Sequence, residues 1–252
     1  LEDVNISNTM PYDKNIFDKI EQELIRLYFD RGRYNADISS KITKLERNRV
    51  SIELIIKEGD ASSIKEINII GNKSFSKKEI LRVMSSGTKY FFEFWSSKDT
   101  YSSSVLRSDI SKIENYYLNR GYVRFRILSN QVNLSNDNQD IIITINIDEG
   151  ERYEFGDIKV YGNSVVSPEI LKSSLMEVML PKQTFSRQKI QESEKLLAYL
   201  LGDEGFAFPE VLSLPIIDDA TKIVDVEFRV DPGQRSTVRR INITGNINTN
   251  DE

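Results

Sequence analysis

Four kinds of short stretch carry residue types that could do chemistry. Tyr122-Val-Arg-Phe-Arg-Ile-Leu128 interleaves arginines with apolar residues, a pattern suited to an edge strand that accepts an extended peptide through its main chain. Gly202-Asp-Glu-Gly205 has the GxxG spacing that clamps a nucleic-acid backbone, but it joins a helix to a strand and carries two acids. A helix stop accounts for it better. Gly71-Asn72, Gly162-Asn163 and Gly245-Asn246 could cradle an anion ahead of a helix. A tight turn needing positive φ at glycine gives the same dipeptide without a ligand. Asp218-Asp219 has no basic or metal-ligating partner at a fixed offset, so it reads as a solvated turn.

Catalytic chemistry has little to work with. The chain contains no His, the commonest general base and metal ligand, and no Cys. It also lacks a nucleophile elbow, a Walker loop and a cluster with metal-ligand spacing. The expectation is a protein without catalytic residues, metal or cofactor, and therefore not an enzyme. A net charge of −5 argues against a nucleic-acid partner, which favours basic surfaces. The absence of Cys is compatible with an oxidising compartment. No apolar run approaches the roughly 20 residues a membrane-crossing helix needs.

The elements that position these stretches repeat. An apolar strand ends in an acid and a glycine, and a second strand follows that ends in Gly-Asn. Gly59 and Gly71, Gly150 and Gly162, and Gly233 and Gly245 are each 12 positions apart. A constant step through diverged sequence marks a rigid junction, and Gly59, Gly71, Asn72, Gly150, Gly162, Asn163, Gly233, Gly245 and Asn246 are expected to form junctions between consecutive small domains. The period, 91 and then 83 residues, is enough for each unit to bury a thin core.

Within one period the order reads β-α-α-β-β. Ile64, Ile67 and Ile69 mark a strand. Ser76-Lys-Lys-Glu79 is a capping box that opens a helix, which Gly87 is expected to end. An aromatic loop, Tyr90-Phe-Phe-Glu-Phe-Trp95, leads to a second helix from Ser103 that Gly121 stops. Strands 122–134 and 141–147 surround a polar turn. The next period repeats this, with Ser167-Pro168-Glu169 opening a helix, a second helix near 186–201, and strands near 206–217 and 222–230. Upstream of the helix-stop glycines Gly32, Gly121 and Gly205 recurs one apolar face: Leu24, Leu27 and Tyr28; Ile113, Tyr116 and Tyr117; Leu197, Leu200 and Leu201. The first period shows only a helix at 14–31 and strands at 34–43 and 48–57. Residues 238–252 hold the opening strand of a fourth. The chain thus reads as a piece that continues in both directions.

Strand 141–147 is nearly all Ile and is expected at a sheet centre, leaving 122–134 at an edge. That edge either accepts an added strand or is protected by its charges, and both readings stand. Pro209 and Pro215 blunt the corresponding strand of the next period. The aromatic loop is either packed on its own domain or a patch for a partner.

Gly-Asn after Ile-x-Ile, Tyr116-Tyr-Leu-Asn-Arg-Gly-Tyr122 and Ile147-Asp-Glu-Gly-Glu151 resemble POTRA domains, the periplasmic repeats of outer-membrane assembly proteins. The resemblance covers the whole chain. It implies an α+β fold of tandem β-α-α-β-β domains, each a three-stranded mixed sheet covered by two antiparallel helices. The expected domains are a partial one at 1–62, complete ones at 63–152 and 153–235, and the start of another at 236–252. They resemble the second, third, fourth and fifth repeats of a five-repeat array of the family. The resemblance further implies a periplasmic scaffold and chaperone-like module of a Gram-negative bacterium. It would bind unfolded outer-membrane proteins at Tyr122, Val123, Arg124, Phe125, Arg126, Ile127 and Leu128, and dock accessory assembly lipoproteins, the β-propeller type at 63–152. The family's C-terminal membrane barrel, a further partner, is absent from this sequence. A POTRA array of a two-partner secretion transporter or other barrel-bearing relative is the alternative within the family, and an RNA-binding α/β array or a hydrolase fragment are alternatives outside it.

Overall fold

A computed structural model describes residues 12–88, 100–162 and 166–242. The aromatic segment 90–95, residues 1–4, Asn163, Gly245 and Asn246 lie outside the described residues. The described residues fall into two compact units, one within Leu1–Tyr116 and Phe125–Glu149, the other within Tyr117–Arg124 and Gly150–Glu252.

The first unit opens with α1 (Lys14–Asp30), whose N-cap Asp13 accepts the Asn15 amide at 2.9 Å. Strands β1 (Asp37–Leu45) and β2 (Arg49–Lys57) follow as an antiparallel two-stranded sheet. With no third strand among the described residues, Ile42, Leu45, Ile55 and Ile56 stay exposed. The expected β-α-α-β-β run is then complete: β3 (Ser63–Ile70), α2 (Lys77–Val83), α3 (Ser103–Leu118), β4 (Arg126–Leu134) and β5 (Asp140–Asp148). The sheet order is β3-β5-β4, with β3 parallel and β4 antiparallel to β5. Central β5 alternates fully: Ile141, Ile143, Ile145 and Ile147 are buried, while the residues between them are partly exposed. Four buried isoleucines contribute about 1.5–3 kcal/mol each.

Helix α2 opens on the expected capping box, with Ser76 and Glu79 each satisfying the other's amide. It does not run to Gly87. The chain leaves the helix at Met84 because the buried Asp109 carboxylate of α3 accepts the amides of Ser85 and Ser86, both at 2.7 Å. Burial pushes the Asp109 carboxyl up, but those amides and Lys112 at 2.9 Å outweigh it and hold it below its ordinary value.

The second unit contains β6 (Glu154–Gly162), α4 (Pro168–Leu175), α5 (Arg187–Asp203), β7 (Glu210–Asp218) and β8 (Ile223–Asp231) in the order β6-β8-β7. Its core joins Leu171 and Leu175 of α4, Ile190, Leu197 and Leu201 of α5, and Val224, Val226, Phe228 and Val230 of β8. Ser167 caps α4 with Pro168 at its first turn, as expected. No strand forms in residues 234–242, where the sequence suggests the opening of another repeat. In both complete sheets an opening strand pairs with its own run's last strand, and among the described residues Val238 and Ile241 have no such partner.

The structure also reassigns two of the junction glycines. Gly71 (φ +96°) ends β3 against the Ile147 carbonyl of β5, and Gly162 (φ +131°) ends β6 against the Val230 carbonyl of β8. Both seal parallel pairs inside a sheet instead of linking one repeat to the next. The acid of the repeated motif acts at the same place: buried Glu149 accepts the amides of Lys73 (2.9 Å) and Ser74 (3.0 Å) just after Gly71-Asn72. The fixed step therefore spans a strand exit and a sheet seal. The recurring link is a different bond, from the third residue after the first glycine of each step to a helix-stop carbonyl. Ser62 donates to Gly32, Tyr153 to Gly121 and Ser236 to Gly205, each at 2.8 Å.

Alanine at Gly71 or Gly162 meets a main-chain carbonyl at positive φ and should cost more than about 2 kcal/mol. Gly202 lies in α5 with nothing near an added Cβ, so Gly202→Ala should gain about 0.5–1 kcal/mol. Urea denaturation of the three variants checks the contrast, and equal effects at Gly71 and Gly202 would refute the seal.

Candidate functional site

The proposed binding stretch divides between two tasks. Strand β4 begins only at Arg126, so Tyr122, Val123, Arg124 and Phe125 are not edge-strand residues. They form the turn after α3: the Tyr122 amide returns to the Tyr117 carbonyl at 3.1 Å, and Val123 packs on the core of the second unit. Phe125 is buried. The Arg124 guanidinium forks onto both oxygens of Asp219, at 3.0 and 2.8 Å, and Asp219 also accepts the Tyr153 hydroxyl at 2.5 Å. These two donors, Arg124 first, hold the Asp219 carboxyl down at about 2. Lys222 stands 5.5 Å from the centre of the Tyr153 ring and pairs with Glu151.

Asp219 is an exposed turn residue, as expected, but it does have a basic partner. Its basic partner lies 95 positions away in sequence, where no local offset could reveal it. The neighbouring Asp218 does close the turn, accepting the Ala220 amide at 2.9 Å and the Thr221 hydroxyl at 2.7 Å. Gly202 sits inside α5 and Gly205 follows its C-cap, in keeping with a helix stop.

Arg126, Ile127 and Leu128 do belong to β4, and β4 does lie at an edge of its sheet. Arg126 pairs with Asp148 of β5 at 2.5 Å. The register shifts between Ile127 and Ser129, making Leu128 an exposed bulge residue. Beyond the bulge the parity of the ladder is fixed by the Ser135 amide, which donates to the Asp140 carbonyl at 2.9 Å across the hairpin. Antiparallel ladders alternate, so Ser129, Gln131 and Asn133 point their main-chain groups at β5. Asn130, Val132 and Leu134 then point theirs outward. This part, 130–134, falls within the expected edge strand 122–134 but outside the stretch 122–128 expected to bind a peptide, and the alternation of Asn130, Val132 and Leu134 was its sequence signal. The opposite edge strands β3 and β6 each make an isolated bridge at their starts, Ser63 to Thr100 and Glu154 to Thr184.

Among the described residues no group of three or more His, Cys, Asp or Glu could hold a metal ion, and no helix is long and apolar enough to cross a membrane.

The sequence pattern of the POTRA family, described as a surface antigen variable number repeat, matches residues 1–59, 62–150 and 153–233. The outer membrane protein assembly factor BamA of Neisseria meningitidis serogroup B is 29% identical over 252 residues, covering 100% of this chain and 32% of that protein. BamA of Buchnera aphidicola subsp. Acyrthosiphon pisum is 31% identical over 256 residues, covering 100% of this chain and 40% of that protein. The chain thus spans less than half the length of either relative. The crystal structure of Haemophilus influenzae BamA POTRA3-5 is similar with a TM-score of 0.61 at 26% identity, over 75% of this chain and 73% of that one.

The Asp219 network makes an acid prediction. Its folded carboxyl titrates at about 2, below its ordinary value of 3.8, so its stabilisation is complete above 3.8 and is lost as pH falls through 2. Denaturation of wild type and Asp219→Asn should differ most at pH 5 and converge towards pH 2. A gap that stays constant over that range would count against the network.

Proposed function

The chain belongs to the POTRA family, and on that premise we propose that it is a periplasmic binding scaffold in outer-membrane protein assembly, whose β4 edge takes up a segment of unfolded outer-membrane protein as an added strand. The observation that carries this is the parity of β4. Asn130, Val132 and Leu134 present outward main-chain groups at the two-residue spacing an incoming strand reads, on a strand without proline. Recognition through main-chain bonds tolerates varied sequence, which suits clients that share only a strand pattern.

The relatives named as outer membrane protein assembly factors support the pathway, and the H. influenzae POTRA3-5 likeness supports reading the chain as consecutive repeats. We take these as 1–62, 63–152 and 153–235, with a further repeat beginning at 236. The repeat at 63–152 is also our candidate for docking an accessory lipoprotein of β-propeller type. Such a scaffold binds and hands on its clients, with no bond made or broken and no nucleotide consumed.

Proline at Val132 tests the edge, because it removes one outward amide and leaves the ladder to β5 intact. Losing a hydrogen bond of about 0.5–1.5 kcal/mol should weaken binding of a barrel-strand peptide roughly two- to tenfold. Fluorescence anisotropy of the labelled peptide, with circular dichroism to confirm the fold, measures this. Undiminished affinity in a folded Val132→Pro protein would remove β4 as the docking edge.

A further inference from the structure

Strand β7 occupies in its sheet the place that β4 occupies in the other, yet its edge is built differently. The Ser213 amide donates to the Glu194 carboxylate of α5 at 3.1 Å, and the Ser213 hydroxyl donates to the same oxygen at 2.5 Å. An amide engaged by a helix side chain cannot also bond β8, so Ser213 faces outward from the sheet. By the alternation of the antiparallel pair, Val211, Pro215 and Ile217 face outward with it. Of these four positions the middle two offer no amide to an incoming strand, only carbonyls: the Ser213 amide is already engaged, and Pro215 has no N–H. The outward amides that remain, at Val211 and Ile217, stand roughly 20 Å apart at about 3.3 Å per residue.

The placement of Glu194 follows from α5. Ile190, Ser193, Leu197 and Leu201 form the buried stripe of that helix, and Glu194 lies on its flank beside the edge strand. Counting back 11 positions from the helix-stop glycine reaches Glu194 before Gly205 and Ile110 before Gly121. The counterpart helix thus carries no carboxylate there. Counting from the hairpins, Ser213 and Pro215 correspond to Asn130 and Val132 of β4. All three elements of the closure are particular to β7.

We infer that Glu194 and Pro215 together close the β7 edge to strand addition, making them specificity-determining residues that confine an extended apolar-polar alternating peptide to β4. The inference rests on the strand-addition reading above. Pro215 removes a donor permanently, whereas Glu194 competes for its amide as an internal mimic of the carbonyl an added strand would bring. Edges left open invite pairing with the wrong chain, and an inward-leaning charge is a known remedy.

The test uses the whole chain, labelled with nitrogen-15, and a ten-residue synthetic peptide of alternating apolar and polar residues. In wild type the peptide should shift β4 amides and leave β7 unmoved. In Glu194→Ala/Pro215→Val it should also shift the amides of positions 211, 213, 215 and 217. Glu194→Ala alone should speed hydrogen exchange at Ser213 by about tenfold or more, and Glu194→Gln, which keeps an acceptor, should restore much of the protection. Unchanged Ser213 exchange in Glu194→Ala overturns the inference, as does an exposed β7 edge that gains no peptide in the folded double variant. Shifts at β7 in the double variant without shifts at β4 in either protein would uphold the closure while refuting the β4 reading. If the double variant loses its fold, Ser213 exchange in Glu194→Ala decides alone.

Discussion

The parallel contact between the first and last strands of each β-α-α-β-β run governs the rest of the structure. Two helices intervene before the chain returns, and the last strand then inserts beside the first, β5 against β3 and β8 against β6. That insertion puts the most apolar strand at the centre. It also forces the strand before it, β4 or β7, to the outside. The contact is tight where the first strand ends: Gly71 and Gly162 leave no room for a side chain beside the carbonyls of Ile147 and Val230. In the first of these sheets the buried Glu149 carboxylate then gathers the amides of the departing loop, which would otherwise be left without partners.

An edge strand is thus an unavoidable product of this topology, and the two sheets resolve it with different side chains. On β4 the bulge at Leu128 and the Arg126–Asp148 pair lie at the start of the strand, and 130–134 presents its outward groups. On β7 a carboxylate and a proline take the middle. The two helices that cover the sheets differ at the corresponding position, Ile110 in one and Glu194 in the other. The side chain at this position on a helix flank thus decides whether a neighbouring strand's amide is engaged, although the backbone topology of the two sheets is the same.

The order of elements was legible because each left a local signature. The run of isoleucines at 141–147, the capping box at Ser76 and the proline after Ser167 needed only their neighbours to be understood. Boundaries set by distant groups were not legible. Helix α2 ends at Val83 and not near Gly87 because Asp109, 23 and 24 residues away, takes the amides that follow. The start of β4 was placed four residues early because 122–125 has strand-like composition, yet Arg124 is drawn to Asp219 and Val123 to a core. The glycine step was seen as a repeat, but the role of its second glycine, a sheet seal at Gly71 and Gly162, was not. Sequence shows that Gly71 needs a special conformation, not that Ile147 is what crowds it.

The same division explains which parts of the candidate site could be anticipated. A free edge is defined by the amides that nothing else engages, so it is a property of the whole fold and not of a motif. Composition pointed to arginines at 124 and 126, and both are already committed to acids, Asp219 and Asp148. Charge at this edge therefore serves the architecture, and under the proposed function the uptake of a strand would rest on uncharged main-chain groups further along. Those groups impose spacing on a client but almost no side-chain identity. Under the proposed function, a scaffold that must receive many unfolded chains would gain from that indifference if its other edges were shut, and an acceptor such as Glu194, which engages the Ser213 amide, would shut one without altering the backbone topology that the two three-stranded sheets share.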